Sequence, residues 1–582
     1  MIMRAPINKV FTTGKMHVSK KYAGRWGGIR IRRPKTMMKR LSALALVAFF
    51  ITLYLIFQTG RLQGKGGGRG IHRLNLAGIF QQPTRNPFDM KFKGKERMPP
   101  TIENLDRAPV SHTADFLLDY FLTMNVDGTQ ITWLRNTNTR GLLQQALDDY
   151  KLMMVEVDVV AENDKSTQNL TAVVAPSDTN VEYNLKLESF LTYISTYSNK
   201  GVKLNFDCLD AIKMALKSLK ALEFDLHAPI WLAVDVLHGP NADIDKEPVD
   251  LQKAVDLVKE YYPPITLSLG WQTDWSPEPV ETGYSWYHVI SMAKFCVKFQ
   301  QRASFSIRAV YAAESVRQIK WLLSLSSRFS AVLWLAEHDV VSVSAMVYFR
   351  KQTDKKKIFY ILPTNFLDEL KLTETVAQED GDSKFDRTLW KPALLDEQSL
   401  AFLGKEQAVL EGDNSWLVSK DPHQPGSSGR TNIEVHGNVQ FVESPKKSDS
   451  IAKFSLFIRC SGVNPPEPKD VHGVKLVILK DGTVTLSSQN LVKAGMYKTQ
   501  TSAKLPESSC FAFKVIDSGE AQPILCTISI INCKNREEVS SDKSEVSLHL
   551  IAPYDDSRQM FFIAVTGGST AEAIVVENLI IS

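Results

Sequence analysis

The chain has 582 residues, 44% hydrophobic and 23% charged, which suits two or three globular domains and excludes a largely disordered or collagen-like polymer. Its formal net charge of +5 conceals an asymmetry: residues 1–73 hold 16 of the 69 Lys and Arg and no acid, leaving 53 basic against 64 acidic residues beyond them. An acidic body excludes the broad basic surface of a nucleic-acid-binding protein, so no nucleic-acid partner is expected.

The first predicted element is "LSALALVAFFITLYLIF" (41–57), 17 residues without a charge. As a helix it would span about 26 Å, slightly short of the ~30 Å hydrocarbon core. A cleaved signal peptide fits poorly, since the basic region before it is 40 residues long and no small-x-small site follows. A buried core helix fits poorly too, because the segment is not amphipathic. Twelve Lys and Arg precede the segment and four follow it before Leu74, which predicts a cytosolic N-terminus. The reading is therefore a single-pass type II membrane protein with a basic tail (1–40), a transmembrane helix (41–57) and an extracellular or lumenal body. The Gly-rich "QTGRLQGKGGGRG" (58–70) opens a flexible stem (58–114), a place where the body could be shed.

From about residue 115, strand-like and helical periods alternate. Strands are predicted at "QITWLR" (130–135), "LMMVEVDVV" (152–160), "LTAVVAP" (170–176) and "GVKLNF" (201–206), then at "PIWLAVDVL" (229–237), "ITLSLGW" (265–271), "ASFSIRA" (303–309) and "SAVLWLA" (330–336). Helices fall on most crossings, as in "CLDAIKMALKSLKALE" (208–223) and "ESVRQIKWLLSL" (314–325). Eight strands over this length predict an α/β TIM-like (βα)8 barrel over residues 115–365. An acidic linker (366–389) and an all-β sandwich or jelly-roll domain (390–582) follow, the latter from short strands such as "VKLVILK" and "TVTLSS" separated by turns such as "KDGT".

Of the six cysteines, Cys460, Cys510, Cys526 and Cys533 lie in the β region, allowing three pairings that the sequence does not distinguish. No Cys/His cluster has zinc spacing. One glycosylation sequon occurs, at Asn169.

"MMVEVDVV" (153–160) carries the candidate chemistry. Strand alternation puts Val155, Val157 and Val159 on one face and Glu156 and Asp158 on the other, with the two carboxylates about 6–7 Å apart. Two like charges so close need a cation, an Arg or Lys, or water between them. A solvated edge strand is the alternative on pattern alone.

The segments "MMVEVDVV", "KGVKLNFD" (200–207), "APIWLAVDVLHGPN" (228–241), "ITLSLGW" and "SAVLWLAEHD" (330–339) resemble the menorin family, whose N-terminal domain is similar to the phospholipase C-like phosphodiesterases. The resemblance covers roughly residues 115–365. It implies a site with a His on the first strand, a Glu-x-Asp pair on the second and another His on the next. Glu156 and Asp158 match the pair. The first His position reads Trp133-Leu134-Arg135, the second falls near Ala175-Pro176-Ser177, and the family's Lys-Leu-Asp appears as Lys203-Leu204-Asn205. Arg135 does not lose its proton near neutral pH and so cannot stand in for a His. Asn205 removes one charge from any set of hard-cation ligands.

The expected site is therefore a vestigial constellation of Glu156, Asp158 and Lys203, with Arg135, Asn205 and Asp235 in the pocket. Any metal would sit on Glu156 and Asp158. His227, His238 and His338 read as loop histidines. The expected function is non-catalytic recognition or adhesion, with other cell-surface or extracellular proteins as partners and no cofactor. The alternative is a metal-dependent glycerophosphodiester phosphodiesterase using a divalent cation.

Overall fold

The computed structural model describes residues 116–582 except for 123–126, 164–168, 176–184, 223–227, 275–278, 373–384, 424–431, 444–451, 462–470, 490–499, 553–561 and a few isolated positions. All of the described residues fall in the compact unit Gly94–Ser582.

The first half runs α1 (Phe116–Tyr120), β1 (Trp133–Leu134), α2 (Arg140–Asp148), β2 (Met154–Asn163), β3 (Leu170–Val174), α3 (Leu187–Tyr197), β4 (Gly201–Phe206), α4 (Leu209–Ala221), β5 (Ile230–His238) and α5 (Leu251–Tyr261). It continues through β6 (Thr266–Gln272), α6 (Trp286–Cys296), β7 (Ala303–Arg308), α7 (Val316–Ser324), β8 (Phe329–Trp334), α8 (Val343–Gln352), β9 (Ile358–Ile361) and α9 (Thr364–Leu372). Helix starts are set by side-chain caps: Thr139, Asp250, Ser285 and Ser342 each accept a backbone N–H from the first turn. The outward strand residues, such as Val155, Val202, Leu232, Leu267, Phe305 and Leu333, form one apolar cluster with the inner helix faces. Each such fully buried side chain contributes about 1.5–3 kcal/mol.

Strand order is β1-β2-β4-β5-β6-β7-β8-β9, every pair parallel, while β3 lies off this path, antiparallel to β2. This corrects the expected closed (βα)8 barrel. "LTAVV" is an antiparallel flap on β2, the eighth parallel strand is "IFYI" at the far end, and among the described residues no strand pairing joins β9 to β1. The seam is bridged by other contacts: Gly128 N–H donates to Lys355 O at 3.0 Å, and Arg135 Nη1 donates to Leu335 O at 2.6 Å. The result is a nearly closed parallel barrel.

The predicted transmembrane helix 41–57 lies outside the described residues. Among the described residues no helix is long and apolar enough to cross a membrane, so the single-pass type II topology expected from the sequence is not seen in them.

Inside the barrel, alternation produces layers. The lower layer is apolar: Met154, Trp231, Val332 and Phe359 pack with Leu117 and Leu118 of α1, which plug this end. Trp231 meets Trp133 and Phe359 edge-on, with ring centroids 5.6 and 5.7 Å apart. Two residues further along each strand the interior turns polar, with Glu156 beside Lys203 and then Asp158 beside Asn205.

The second half is antiparallel: β10 (Trp390–Leu394), β11 (Leu400–Leu403), β12 (Gln407–Glu411), β13 (Ser415–Ser419), β14 (Ile433–Phe441), β15 (Lys453–Ser461), β16 (His472–Leu479), β17 (Thr483–Gln489), β18 (Gln500–Lys504), β19 (Cys510–Asp517), β20 (Pro523–Ile530), β21 (Glu545–Ile551), β22 (Phe562–Gly568) and β23 (Ala573–Ile581). Two seven-stranded sheets, ordered β10-β13-β22-β15-β16-β17-β18 and β11-β12-β23-β14-β19-β20-β21, share one apolar core. Strand β14 shows why: Ile433, Val435, Val439 and Phe441 are buried, while Glu434, His436, Asn438 and Gln440 alternate with them toward the other face. Cys510 and Cys533 form a disulfide.

The barrel meets the second sheet of this pair along β11, β12 and β23. Trp321 of α7 packs edge-on to Phe402, Lys294 pairs with Glu411 at 2.6 Å, and Lys320 pairs with Glu406 at 2.7 Å. Arg317 of α7 pairs with Glu577 of β23.

Candidate functional site

The polar interior layer opens into a cavity of about 200 Å³ at the C-terminal ends of the barrel strands. Arg135, Glu156, Lys203, Asn205, Asp235, Ser306 and Trp334 line it. In parallel barrels this is the end at which sites form, since adjacent strand ends and loops converge there.

Glu156 is buried and fully engaged. Lys203 Nζ donates to its Oε1 at 2.7 Å, Asn205 Nδ2 to the same oxygen at 3.1 Å, and Arg135 Nε to Oε2 at 3.2 Å. Burial by itself would raise the Glu156 carboxyl. The Lys203 ammonium and the Arg135 guanidinium, with hydrogen bonds from Lys203 and Asn205, outweigh it and bring the pKa down to about 2. Asp158 is equally occupied: Asn205 Nδ2 donates to Oδ1 at 2.9 Å and Asn138 Nδ2 to Oδ2 at 2.7 Å. The Asp158 backbone N–H returns a bond to Asn138 Oδ1 at 2.9 Å, so Asn138 clamps that strand position from both sides. The register Glu156↔Lys203 and Asp158↔Asn205 accounts for this lattice, because directly facing residues of β2 and β4 present alternating acid and donor.

A divalent cation fits this lattice poorly. It binds through carboxylate oxygens that are free to coordinate, yet all four carboxylate oxygens of Glu156 and Asp158 already accept hydrogen bonds, two of them from cationic side chains. Among the described residues no group of three His, Cys, Asp or Glu is placed to hold a metal.

Asp235 differs from its neighbours. It is solvent-exposed on β5 and lines the cavity, while many protein atoms lie around its carboxyl. That enclosure raises its carboxyl pKa, with Lys203 and Lys246 opposing the rise. Among the described residues its side chain takes part in no hydrogen bond or ion pair.

The structure thus gathers Arg135, Glu156, Asp158, Lys203, Asn205 and Asp235 at one barrel end. The predicted histidines do not join them: His238 ends β5, His338 follows β8 as an exposed loop residue, and neither lines the cavity. His227, Pro176 and Ser177 lie outside the described residues. Asn169 is exposed just before β3. Four contributors were not singled out from the sequence: Asn138, Ser306, Trp334 and Gly270. Trp334 and Ser306 occupy inward positions of β8 and β7, so strand alternation carries a signal for them.

Comparison with known proteins places this geometry in a family. Residues 127–367 match the menorin N-terminal domain, and residues 393–579 match the menorin C-terminal domain. Human protein FAM151B is 34% identical over 248 residues, covering 42% of this chain and 88% of that protein. Among solved structures, the Ca²⁺-bound exoplasmic/lumenal domain of VIP36 is similar at a TM-score of 0.22 and 12% identity, over 33% of this chain and 85% of that one. Peanut lectin in complex with a 9mer peptide is similar at a TM-score of 0.22 and 8% identity, over 35% of this chain and 95% of that one. Scores at this level assign neither a fold nor a ligand. The two domain matches and the relative sharing a third of its residues do decide the family: the chain belongs to the menorin family.

Proposed function

We propose that this menorin-family chain is a non-catalytic recognition protein, acting on other proteins through its surfaces, and that its barrel end has lost any phosphodiesterase chemistry implied by the wider resemblance. The observation that carries this reading is the closed lattice around Glu156. General acid/base catalysis needs a group that takes and gives a proton near neutral pH, and it contributes typically ~10²–10⁴-fold. Glu156 stays ionised down to about pH 2, and Arg135 and Lys203 hold its oxygens as donors. Among the described residues no histidine lines the cavity to supply the second proton carrier.

The test is a hydrolysis assay of the full chain on glycerophosphodiesters with added Mg²⁺, Ca²⁺ or Mn²⁺, in parallel with a Glu156→Gln, Asp158→Asn variant. No turnover by either protein is the expected result. Metal-dependent turnover lost in the variant would establish an enzyme and overturn the proposal.

A further inference from the structure

We infer that the barrel cavity binds a small, uncharged polyhydroxyl molecule, with Asp235 as its hydrogen-bond anchor and Trp334 as its apolar wall. The inference rests on the reading of the site as non-hydrolytic, and it gives that site a ligand class.

The backbone around Asp235 is arranged to present its carboxylate. Asp235, Gly270 and Ser306 form one row across β5, β6 and β7. A Cβ at position 270 would lie 2.0 Å from Asp235 Oδ1, so the carboxylate fills the space over the bare glycine and points along the row. The β5–β6 register shifts between Asp235 and Leu237. Irregularities of this kind re-aim side chains at barrel rims. The Asp235 carboxylate has no side-chain partner among the described residues and lines the cavity, so a ligand hydroxyl entering the cavity can reach it.

The chemistry of the partner follows from the charges already satisfied. Glu156 and Asp158 are matched by Lys203 and Arg135 with two asparagine amides, and Arg308 is held by Asp339 in a paired fork at 2.9 and 2.7 Å. No net positive charge is left over for an anion. A cation would meet Lys203 and Arg135 on the same wall. What the cavity offers is an acceptor at Asp235, a hydroxyl at Ser306, a guanidinium edge at Arg135 and an aromatic wall at Trp334. Hydroxyls on an otherwise apolar ring match that set: O–H groups bond the polar side chains and C–H faces lie against the indole. About 200 Å³ is below the ~300 Å³ lower end of drug-sized pockets, which limits the occupant to a single small ring or a short open polyol.

The experiment is ligand-observed NMR and tryptophan fluorescence on the full chain. The probes are myo-inositol, D-glucose, D-mannose and D-galactose, with inorganic phosphate and tetramethylammonium as charged controls. At least one polyol is expected to bind with a dissociation constant on the order of 1 mM. Asp235→Ala should weaken that binding by about tenfold or more, as should Asp235→Asn, which keeps the shape but replaces one acceptor oxygen with a donor. Lys514→Ala, on the distant antiparallel sheet, should leave it unchanged. Binding of phosphate or tetramethylammonium in preference to every polyol, no polyol binding, or polyol binding indifferent to both Asp235 variants would each overturn the inference. The hydrolysis assay stays separate: turnover of a glycerophosphodiester refutes the non-catalytic reading, whereas absence of polyol binding without turnover refutes the ligand assignment alone.

Discussion

Asp235 on β5 and Gly270 on β6 face each other in register, and the Asp235 carboxylate occupies the volume that any side chain at 270 would need. Because the obstructing atom is the end of a side chain and the next neighbour, Ser306 Cβ, is 3.5 Å away, Gly270→Ala should be accommodated by rotation of Asp235. The expected cost is about 1 kcal/mol in urea unfolding, at the low end of overpacking effects. Loss of more than about 3 kcal/mol would mean that the glycine serves the strand backbone instead.

Lys203 and Glu156 are both buried and 2.7 Å apart. Removing one member of such a pair leaves the other charged and desolvated, which typically costs 3–5 kcal/mol. Lys203→Met should therefore be strongly destabilising, with Arg135 a partial substitute since it is 39% exposed and still bonds Oε2. The double variant Lys203→Met, Glu156→Gln should be less destabilised than the sum of the two single changes. Strict additivity in a double-mutant cycle would refute energetic coupling between them.

Acid should act on the two carboxyls in opposite senses. Glu156 has a folded pKa of about 2, below its ordinary value near 4.5, so its contribution is complete above pH 4.5 and is lost as pH falls toward 2. Asp235 has a folded pKa above its ordinary value, so stability falls as pH rises from that ordinary value through the raised one. Denaturant midpoints measured between about pH 2 and pH 7 should show a shallower acid-side slope in Glu156→Gln, since other carboxyls such as Asp127 still carry lowered values. Asp235→Asn should be more stable than the parent at neutral pH, because it removes a carboxylate ionised in an enclosed site. An Asp235→Asn protein less stable than the parent at pH 7 would contradict this.

The sequence carried the faces of the strands more clearly than their partners. Alternation in "VEVDVV" separates the valines that meet the helices from Glu156 and Asp158, which enter the barrel. Alternation does not encode pairing direction. "LTAVV" has the same period as a barrel strand, yet it folds back antiparallel on β2, while the four-residue "IFYI" of β9 is too short to stand out beside α8. Strands β10 to β13 are only four or five residues long and lie around Pro392, Gly404 and Gly412, so their period is weaker than that of the longer strands after them. In the site, the carboxylates and their basic neighbours were legible from composition and resemblance. Asn138 and Gly270 were not, and Ser306 and Trp334 were legible only as inward strand positions, because the four come from separate segments brought together only when the sheet curls.

The disulfide makes a prediction beyond its own loop. Cys510 and Cys533 are separated by 23 residues, and closing a loop of that size removes about 3 kcal/mol of unfolded-state entropy. The same segment also serves the junction with the barrel. Cys533 O accepts Arg317 Nη1 at 3.1 Å, and Arg536 Nη2 pairs with Glu577 Oε2 at 2.9 Å, so buried Glu577 is held between one arginine from α7 and one three residues beyond the crosslinked Cys533. Arg536 also reaches Cys510 Sγ at 3.3 Å and Gln440 Oε1 at 3.0 Å, so it touches the crosslink and the sheet at once. Replacing both cysteines by serine should lower the stability of the antiparallel half by about 2–4 kcal/mol. It should also speed amide exchange in α7 and β23, since the loop that orders Arg536 and the Cys533 carbonyl is no longer tied to β19. Glu577→Gln, with the disulfide intact, should reproduce the exchange at α7 and β23 without the loss in β19 and β20. If the cysteine variant loosens only residues 510–533 and leaves α7 unchanged, the disulfide is a local crosslink and the junction is held independently of it by contacts such as Trp321–Phe402, Lys294–Glu411 and Lys320–Glu406.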